Sequence, residues 1–166
     1  MDKQQELITL KLIVKEFENL FDPFFENKFI GHNVEIKYFD QHDHYLVSIS
    51  YTTKSNITFC LFECHMFLHP QGSLQFICNV NFKNNNPAPD EKYYNNNFRL
   101  KDYTTFRKIP FNEKLTWKQI KSYEEGIEAA KELFVYVKQI LLLEEMQKIL
   151  FTNYWINVPI DYSPYK

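Results

Sequence analysis

Glycine is scarce in this sequence. Gly31, Gly72 and Gly126 are the only glycines among 166 residues, and they stand 41 and 54 positions apart. Phosphate-binding loops, dinucleotide-binding turns and nucleophile elbows each need closely spaced glycines, because the backbone there turns sharply or approaches a ligand. The sequence therefore excludes these three kinds of enzyme site.

Long apolar runs and a strong net charge are also missing. The longest aliphatic run, 140–143, is far too short to cross a bilayer, and 19 basic residues nearly balance 21 acidic ones. Apolar residues make up 45% of the chain, which is too many for intrinsic disorder. A chain of this length buries roughly 70% of its unfolded surface. We therefore expect one soluble domain over residues 1–166 that folds without a metal or a disulfide.

Cysteine is equally sparse. Cys60, Cys64 and Cys78 form an odd set, which does not suit the disulfide framework of a small secreted domain. The N-terminus, Met1 to Glu6, carries acidic residues where a secretory signal has a basic segment. We expect a reducing, cytoplasmic location and no membrane association.

The first segment has the spacing of an amphipathic helix. Its apolar residues recur every three or four positions over residues 2–21, which places them on one face. They are Leu7, Leu10, Val14, Phe17 and Phe21. Asp22-Pro23 is predicted to end this helix, because proline disfavours a helical backbone in the residue before it.

Two antiparallel hairpins are predicted from alternation. Residues 34–51 alternate between apolar and polar on both sides of a polar tip, and a second pair of strands flanks the turn 69–73. In the register that starts from Leu68 opposite Leu74, every cross-strand pair is apolar. The further pairs are Met66–Phe76, Cys64–Cys78, Phe62–Val80 and Cys60–Phe82. A short strand is also predicted over 98–103.

A long helix is predicted near the C-terminus. Residues 116–119, with the sequence TWKQ, match a capping box and predict that the helix begins there. Gly126 and a second cap-like pair, Ser122 and Glu125, mark a candidate break. The tail 155–160 is predicted to add an edge strand. The expected fold is α+β: an N-terminal helix, a four- to five-stranded antiparallel meander, and a long C-terminal helix, continuous or broken, packed on the sheet.

One segment carries zinc-type ligands, but in an unfavourable arrangement. Cys60, Cys64, His65 and His69 lie close together in sequence. In one extended strand the two cysteines would share a face and the two histidines the other, so a single ion cannot reach all four. We therefore predict no metal site and no cofactor. Cys64 and Cys78 are interpreted as packed thiols, with a strained disulfide as the alternative.

Charge is distributed unevenly along the chain. Residues 98–121 carry seven basic and two acidic side chains, interleaved with aromatic residues, a mixture found in proteins that bind single-stranded nucleic acid. The predicted strands lack an aromatic RNA-recognition signature, and the same aromatics suit a hydrophobic core. We therefore do not predict nucleic acid as the partner.

Three segments are candidate surfaces for binding a protein. The tip of the first hairpin combines carboxylates with imidazoles, a long asparagine-rich loop carries two tyrosines, and helical spacing makes one face of the long helix acidic. The candidate residues are Asp40, His42, Asp43 and His44 in the tip, Tyr93 and Tyr94 in the loop, and Glu124, Glu125, Glu128 and Glu132 on the helix. We assign no catalytic residue, because spacing brings no Ser–His–Asp or Cys–His set together.

In size, composition and expected architecture, the chain resembles the small cytoplasmic immunity proteins that bacteria pair with secreted toxins. This resemblance implies a non-catalytic domain that occludes a basic nuclease-type toxin, and because no motif carries it, it assigns no residue. Two alternatives stay open. One is a small enzyme or ligand-binding domain with a pocket between sheet and helices, using Glu63, His65 and His69 as acids and bases. The other is a chaperone or adaptor for a secreted protein.

Overall fold

The computed structural model describes residues 3–39, 44–60, 64–68, 74–77, 79–90 and 97–159. Within these ranges the helices are α1 (Lys3–Phe25), α2 (Leu100–Phe106), α3 (Tyr123–Leu141) and α4 (Glu144–Phe151). The strands are β1 (Phe29–Phe39), β2 (His44–Thr53), β3 (Ile57–Cys60), β4 (Cys64–Leu68), β5 (Leu74–Ile77), β6 (Asn81–Asn84), β7 (Asn97–Arg99) and β8 (Trp117–Ile120). The α+β class and the antiparallel sheet are confirmed.

The eight strands form a single sheet of five rows. β1 and β2 pair along their whole length, and β3 and β4 follow one another along the other edge of β2. In the fourth row, β6 pairs with β3 and β5 pairs with β4. In the fifth row, β7 pairs with β6 and β8 pairs with β5. The five rows agree with the upper number of strands expected from the sequence.

One face of the sheet is the core face. Alternate residues of β2, from Tyr45 to Thr53, are buried, while the residues between them are only half-buried. On this face Phe25 of α1 stacks on Tyr51 with ring centroids 4.6 Å apart, and it also contacts Phe59 and Phe151. The N-terminal and C-terminal helices therefore cover the same face.

The predicted register of the second hairpin is confirmed near its turn and wrong farther from it. Leu68 pairs with Leu74 and Met66 with Phe76, as expected. Farther on, Phe59 and not Cys60 pairs with Phe82, because the register shifts by one residue between β4–β5 and β3–β6. Cys60 therefore pairs with Ser50 on the half-buried face and does not point into the core. The predicted Cys64–Cys78 and Phe62–Val80 pairs include residues outside the described ranges.

The first helix does not stop at Asp22-Pro23. It continues through Pro23 to Phe25, although proline removes one backbone hydrogen bond. The extension buries Phe25 completely against β2 and β3. This aromatic packing outweighs the local preference of the Asp-Pro dipeptide.

The predicted start of the long helix is wrong. Thr116 ends a 3-10 turn (Glu113–Leu115), and Trp117–Ile120 is strand β8, paired with β5. α3 begins only after Ser122, whose hydroxyl accepts from the Glu125 backbone N–H at 3.2 Å. Residues 117–120 form a strand because they pair with β5. The cap that forms is the second predicted one, Ser122 with Glu125.

The C-terminal helix is broken, but not at Gly126. α3 runs through Gly126 to Leu141, and α4 starts again at Glu144 after two non-helical residues. The turn lets Met146, Ile149 and Leu150 of α4 become buried in the core. The tail beyond α4 is irregular over residues 153–159 and is not the edge strand that we expected, although Ile156 and Val158 are buried.

Gly126 is instead the place where α3 crosses α1. A Cβ built on Gly126 would lie 2.7 Å from Cγ1 of Ile13 and closer still to its Cδ1. Eight residues further along both helices, Phe21 and Phe134 make an edge-to-face contact with ring centroids 4.8 Å apart. The two helices therefore run in the same direction, and glycine permits their close approach.

A charged network ties α2 to α4. Arg107 donates two hydrogen bonds to the Glu145 carboxylate, at 2.7 and 2.6 Å, and the buried Tyr103 hydroxyl donates a third at 2.9 Å. Burial raises the pKa of Glu145, but the hydrogen bonds from Arg107 and Tyr103 outweigh it and lower the pKa overall. Burial and the hydrogen bond to Glu145 raise the pKa of Tyr103, so this phenol remains a neutral donor.

We predict that Gly126→Ala lowers the free energy of unfolding by about 1 kcal/mol. Alanine favours a helix over glycine by about 1 kcal/mol, but overpacking against the buried Ile13 costs about 1–3 kcal/mol. Denaturant unfolding measures the sum, and adding Ile13→Val should relieve part of the loss. A more stable Gly126→Ala variant would contradict this crossing.

We predict that stability depends on pH through Glu145. Because the folded state lowers its pKa, the stabilisation is present above the unfolded value of about 4.3 and is lost as pH falls through the folded value. Glu145→Gln should therefore destabilise the protein at pH 7 and much less at pH 3, as measured by urea unfolding. The matched control is Glu144→Gln, since the Glu144 side chain is 90% exposed. An equal loss at both pH values would refute this role of the charge.

Candidate functional site

The structure describes one of the three candidate binding segments. Of the hairpin tip, Asp40, His42 and Asp43 lie outside the described residues, and His44 is described only as the first residue of β2. Tyr93 and Tyr94 also lie outside the described residues. For these residues the predicted role in binding stays a prediction.

The four glutamates predicted on the long helix do lie on α3, and all four are exposed. We call Glu124, Glu125, Glu128 and Glu132 the acidic face of α3. Two of them already have partners within the chain. Glu125 accepts from the Lys121 backbone N–H at 2.7 Å, which completes the N-terminal cap, and Glu132 forms an ion pair with Lys118 of β8.

Glu124 and Glu128 remain available to other molecules. Among the described residues neither forms an ion pair, and both line an open groove of about 290 Å³ together with Tyr123, Ile127 and Lys131. On its other side Glu128 lines a second groove, of about 380 Å³, between α3 and β8. The part of the acidic face that has no ion pair or hydrogen bond to described residues is therefore narrower than the sequence indicated.

The fold pairs four of the seven cations of the basic segment 98–121 with acidic side chains. Four of its cations form ion pairs with acids of the same chain: Arg99–Asp102, Lys101–Glu113, Arg107–Glu145 and Lys118–Glu132. Phe98 and Tyr103 are core residues. This placement favours the core interpretation of these two aromatics over stacking on nucleic-acid bases.

A cleft of about 370 Å³ lies beside β7 and α2. Arg99, Lys101 and Glu113 line it, but each of these charges is already paired with a side chain of the same chain. Its apolar lining comes from Val80, Leu100 and Phe111. Glu63 and His69 lie outside the described residues and the His65 side chain is not described, so the predicted pocket acids and bases stay untested.

A further cluster joins α1 to the first hairpin. Glu18 and Asp22 lie one turn apart on α1, and His32 faces them from β1. One ligand atom from each lies within 4.8 Å of the others. We call these three residues the His32 cluster. Nε2 of His32 is 2.9 Å from the Glu18 carboxylate, and the two side chains are 22% and 21% exposed.

Two residues of β2 hold this cluster in place. The Ser50 backbone carbonyl lies 3.1 Å from Nδ1 of His32, and the Tyr51 hydroxyl donates a hydrogen bond to Asp22. The His32 ring stacks on the Tyr51 ring with centroids 4.4 Å apart. Burial raises the pKa of Tyr51, and the hydrogen bond to Asp22 raises it further, so the phenol stays protonated.

The His32 cluster is not evident from the sequence. Glu18 and Asp22 lie on a helix, 14 and 10 residues before His32 on a strand, and no motif has this spacing. The usable signal was the pair of carboxylates at positions i and i+4 of the first helix. It was hidden because the helix was predicted to stop at Asp22.

Comparisons with known proteins identify no relative. No protein-family model matches the chain, and neither a curated protein nor a solved structure is significantly similar to it. None of the helices in the described ranges is long and apolar enough to span a lipid bilayer. Any functional assignment must therefore come from the residues themselves.

We predict that Tyr51→Phe lowers the free energy of unfolding by about 1–2 kcal/mol, because Asp22 loses its buried donor while the ring packing is kept. Urea unfolding at pH 7 measures this loss. The matched control is Tyr136→Phe, which removes an exposed hydrogen bond to the Pro110 carbonyl and should cost less. Equal losses of unfolding free energy in the two variants would show that the Tyr51–Asp22 hydrogen bond stabilises the fold no more than an exposed hydrogen bond does.

Proposed function

We propose that the chain is a non-catalytic protein-binding domain that recognises a basic partner through the acidic face of α3. One observation carries this proposal: Glu124 and Glu128 are exposed without an ion pair among the described residues, beside two open grooves. Carboxylates already paired within the chain would have to exchange partners on binding, whereas these two can meet a cation directly.

Apolar surface next to these carboxylates supports the same proposal. Tyr123 is 41% exposed at the start of α3, and Ile127 lies beside it in the groove. Binding energy at protein interfaces is concentrated in a few aromatic and apolar side chains, while charges around them orient the partner and raise the association rate. Tyr123 and Ile127 would serve as the anchor, and Glu124 and Glu128 as the orienting charges.

The class of partner follows from the charge of this surface. A basic protein, and in particular a nuclease-type toxin with a cationic active site for phosphate backbones, complements it. Covering such an active site would inhibit the toxin without chemistry by this chain, which is how an immunity protein works. A chaperone or adaptor would use the same surface, but its partner would not be toxic by itself.

We predict that Glu128→Lys weakens partner binding without weakening the fold. Glu128 has Glu124 and Glu132 at i−4 and i+4, so reversing its charge relieves like-charge repulsion within α3. The association rate with the partner should fall about tenfold at low ionic strength, and the difference should shrink as salt is added. Surface plasmon resonance with the purified partner measures both rates.

The matched control is Glu26→Lys, the same charge change at an exposed residue after α1. The partner is first captured from a lysate of the source cells, with nuclease treatment, on immobilised wild-type chain. Co-expression then tests function: the captured protein alone should stop growth, and the chain should restore it. Equal rates for Glu128→Lys and Glu26→Lys would exclude this surface. A harmless partner would exclude the immunity role, and capture of nucleic acid alone would exclude protein binding.

A further inference from the structure

We propose that Glu18, Asp22 and His32 form a binding site for one divalent transition-metal ion, such as zinc, iron or manganese, which we call a zinc-class ion. This site is built on α1 and β1 and is separate from the acidic face of α3. Its three ligand atoms, one nitrogen and two carboxylate oxygens, lie within 4.8 Å of one another. Two ligand atoms of a tetrahedral zinc ion, each about 2.1 Å from the metal, are about 3.4 Å apart, so the most widely separated atoms of the cluster must move closer together when an ion binds.

The hydrogen bond to Ser50 fixes which nitrogen of His32 faces the carboxylates. The Ser50 backbone carbonyl can only accept a hydrogen bond, so Nδ1 of His32, 3.1 Å away, must be the protonated nitrogen. In the neutral ring the other nitrogen, Nε2, then has a lone pair and no proton. That lone pair lies 2.9 Å from a Glu18 oxygen, which also has only lone pairs. Two acceptors at this distance need a cation between or beside them.

The surroundings of the cluster match those of a metal-binding histidine. Such a histidine usually donates its second N–H to a carbonyl or carboxylate, which fixes the tautomer and aims the free nitrogen at the ion. Here the Ser50 carbonyl has that role, and stacking on Tyr51 holds the plane of the ring. The Tyr51 hydroxyl supports Asp22 in the same manner, from a fully buried position.

The ligand set favours a zinc-class ion over magnesium or calcium. One imidazole and two carboxylates suit zinc, iron or manganese, whereas magnesium and calcium prefer oxygen ligands throughout. At a typical metal–ligand distance of about 2.1 Å, ligand atoms 2.9 Å apart subtend about 90° at the ion, so His32 and Glu18 must separate by about 0.5 Å to reach the tetrahedral spacing of zinc. Three protein ligands leave positions for water, and the partial exposure of His32 and Glu18 provides access.

A proton is the competing cation. If Nε2 is protonated, His32 is an imidazolium paired with Glu18, and the cluster is only a structural ion pair between α1 and β1. The two alternatives differ in their response to zinc: a metal site exchanges the Nε2 proton for the ion, whereas a purely structural ion pair keeps that proton when zinc is added.

The test is titration of metal-free full-length protein with zinc chloride at pH 7 in an isothermal calorimeter. One ion per chain should bind, and the thermal unfolding midpoint should rise with zinc concentration. His32→Gln and Glu18→Gln should each lower the affinity at least tenfold, and the matched control Glu16→Gln, on the same helix, should leave it unchanged. Tyr51→Phe keeps all three ligands and should lower the affinity about tenfold or more.

A second measurement protects the test against variants that fail to fold. In the wild-type protein, long-range proton–nitrogen NMR spectra of histidine should show zinc shifting the Nε2 resonance of His32 while Nδ1 stays protonated. Both nitrogens protonated, with spectra unchanged by zinc, would overturn the proposal in favour of the ion pair. Equal affinity for zinc in the wild type and His32→Gln would overturn it as well.

Discussion

The packing of the last turn of α1 on strand β2 is the constraint on which the rest of this structure depends. Burial of Phe25 against Tyr51 keeps the helix intact through Pro23. The same turn presents Asp22 to the Tyr51 hydroxyl and fixes the helix next to β1. One aromatic contact therefore sets the length of the helix, seats it on the sheet and assembles the His32 cluster.

Alternation and helical spacing predicted the class of fold and both hairpins. When one side of a helix or strand is buried, its apolar residues recur with the period of that element, and this period is visible in the sequence. The errors arose where a distant partner overrode a local signal. Residues 117–120 became a strand because β5 is available to pair with them, and Cys60 changed face through a one-residue shift in register. The His32 cluster was hidden for the same reason, since Glu18, Asp22 and His32 meet only through tertiary packing.

Charge shows the same contrast between sequence and structure. A basic segment and an acidic helix looked like two separate binding surfaces in the sequence. In the fold they are neighbours, and Lys118 of one pairs with Glu132 of the other, while Arg107 pairs with Glu145 of α4. Opposite charges that are separated along a chain can serve internal pairing, so we base the proposed binding surface on Glu124 and Glu128, which form no ion pair among the described residues.

The parallel contact between α1 and α3 also sets an order of events in folding. Ile13 and Gly126 touch although about 110 residues separate them, and closing so long a loop has a large entropic cost. The hairpins, by contrast, join neighbouring segments and can form early. On the ribosome, the apolar stripe of α1 therefore emerges well before the helix that covers part of it. Until α3 is synthesised, part of that stripe stays uncovered, and exposed apolar surface of this kind favours aggregation of the growing chain.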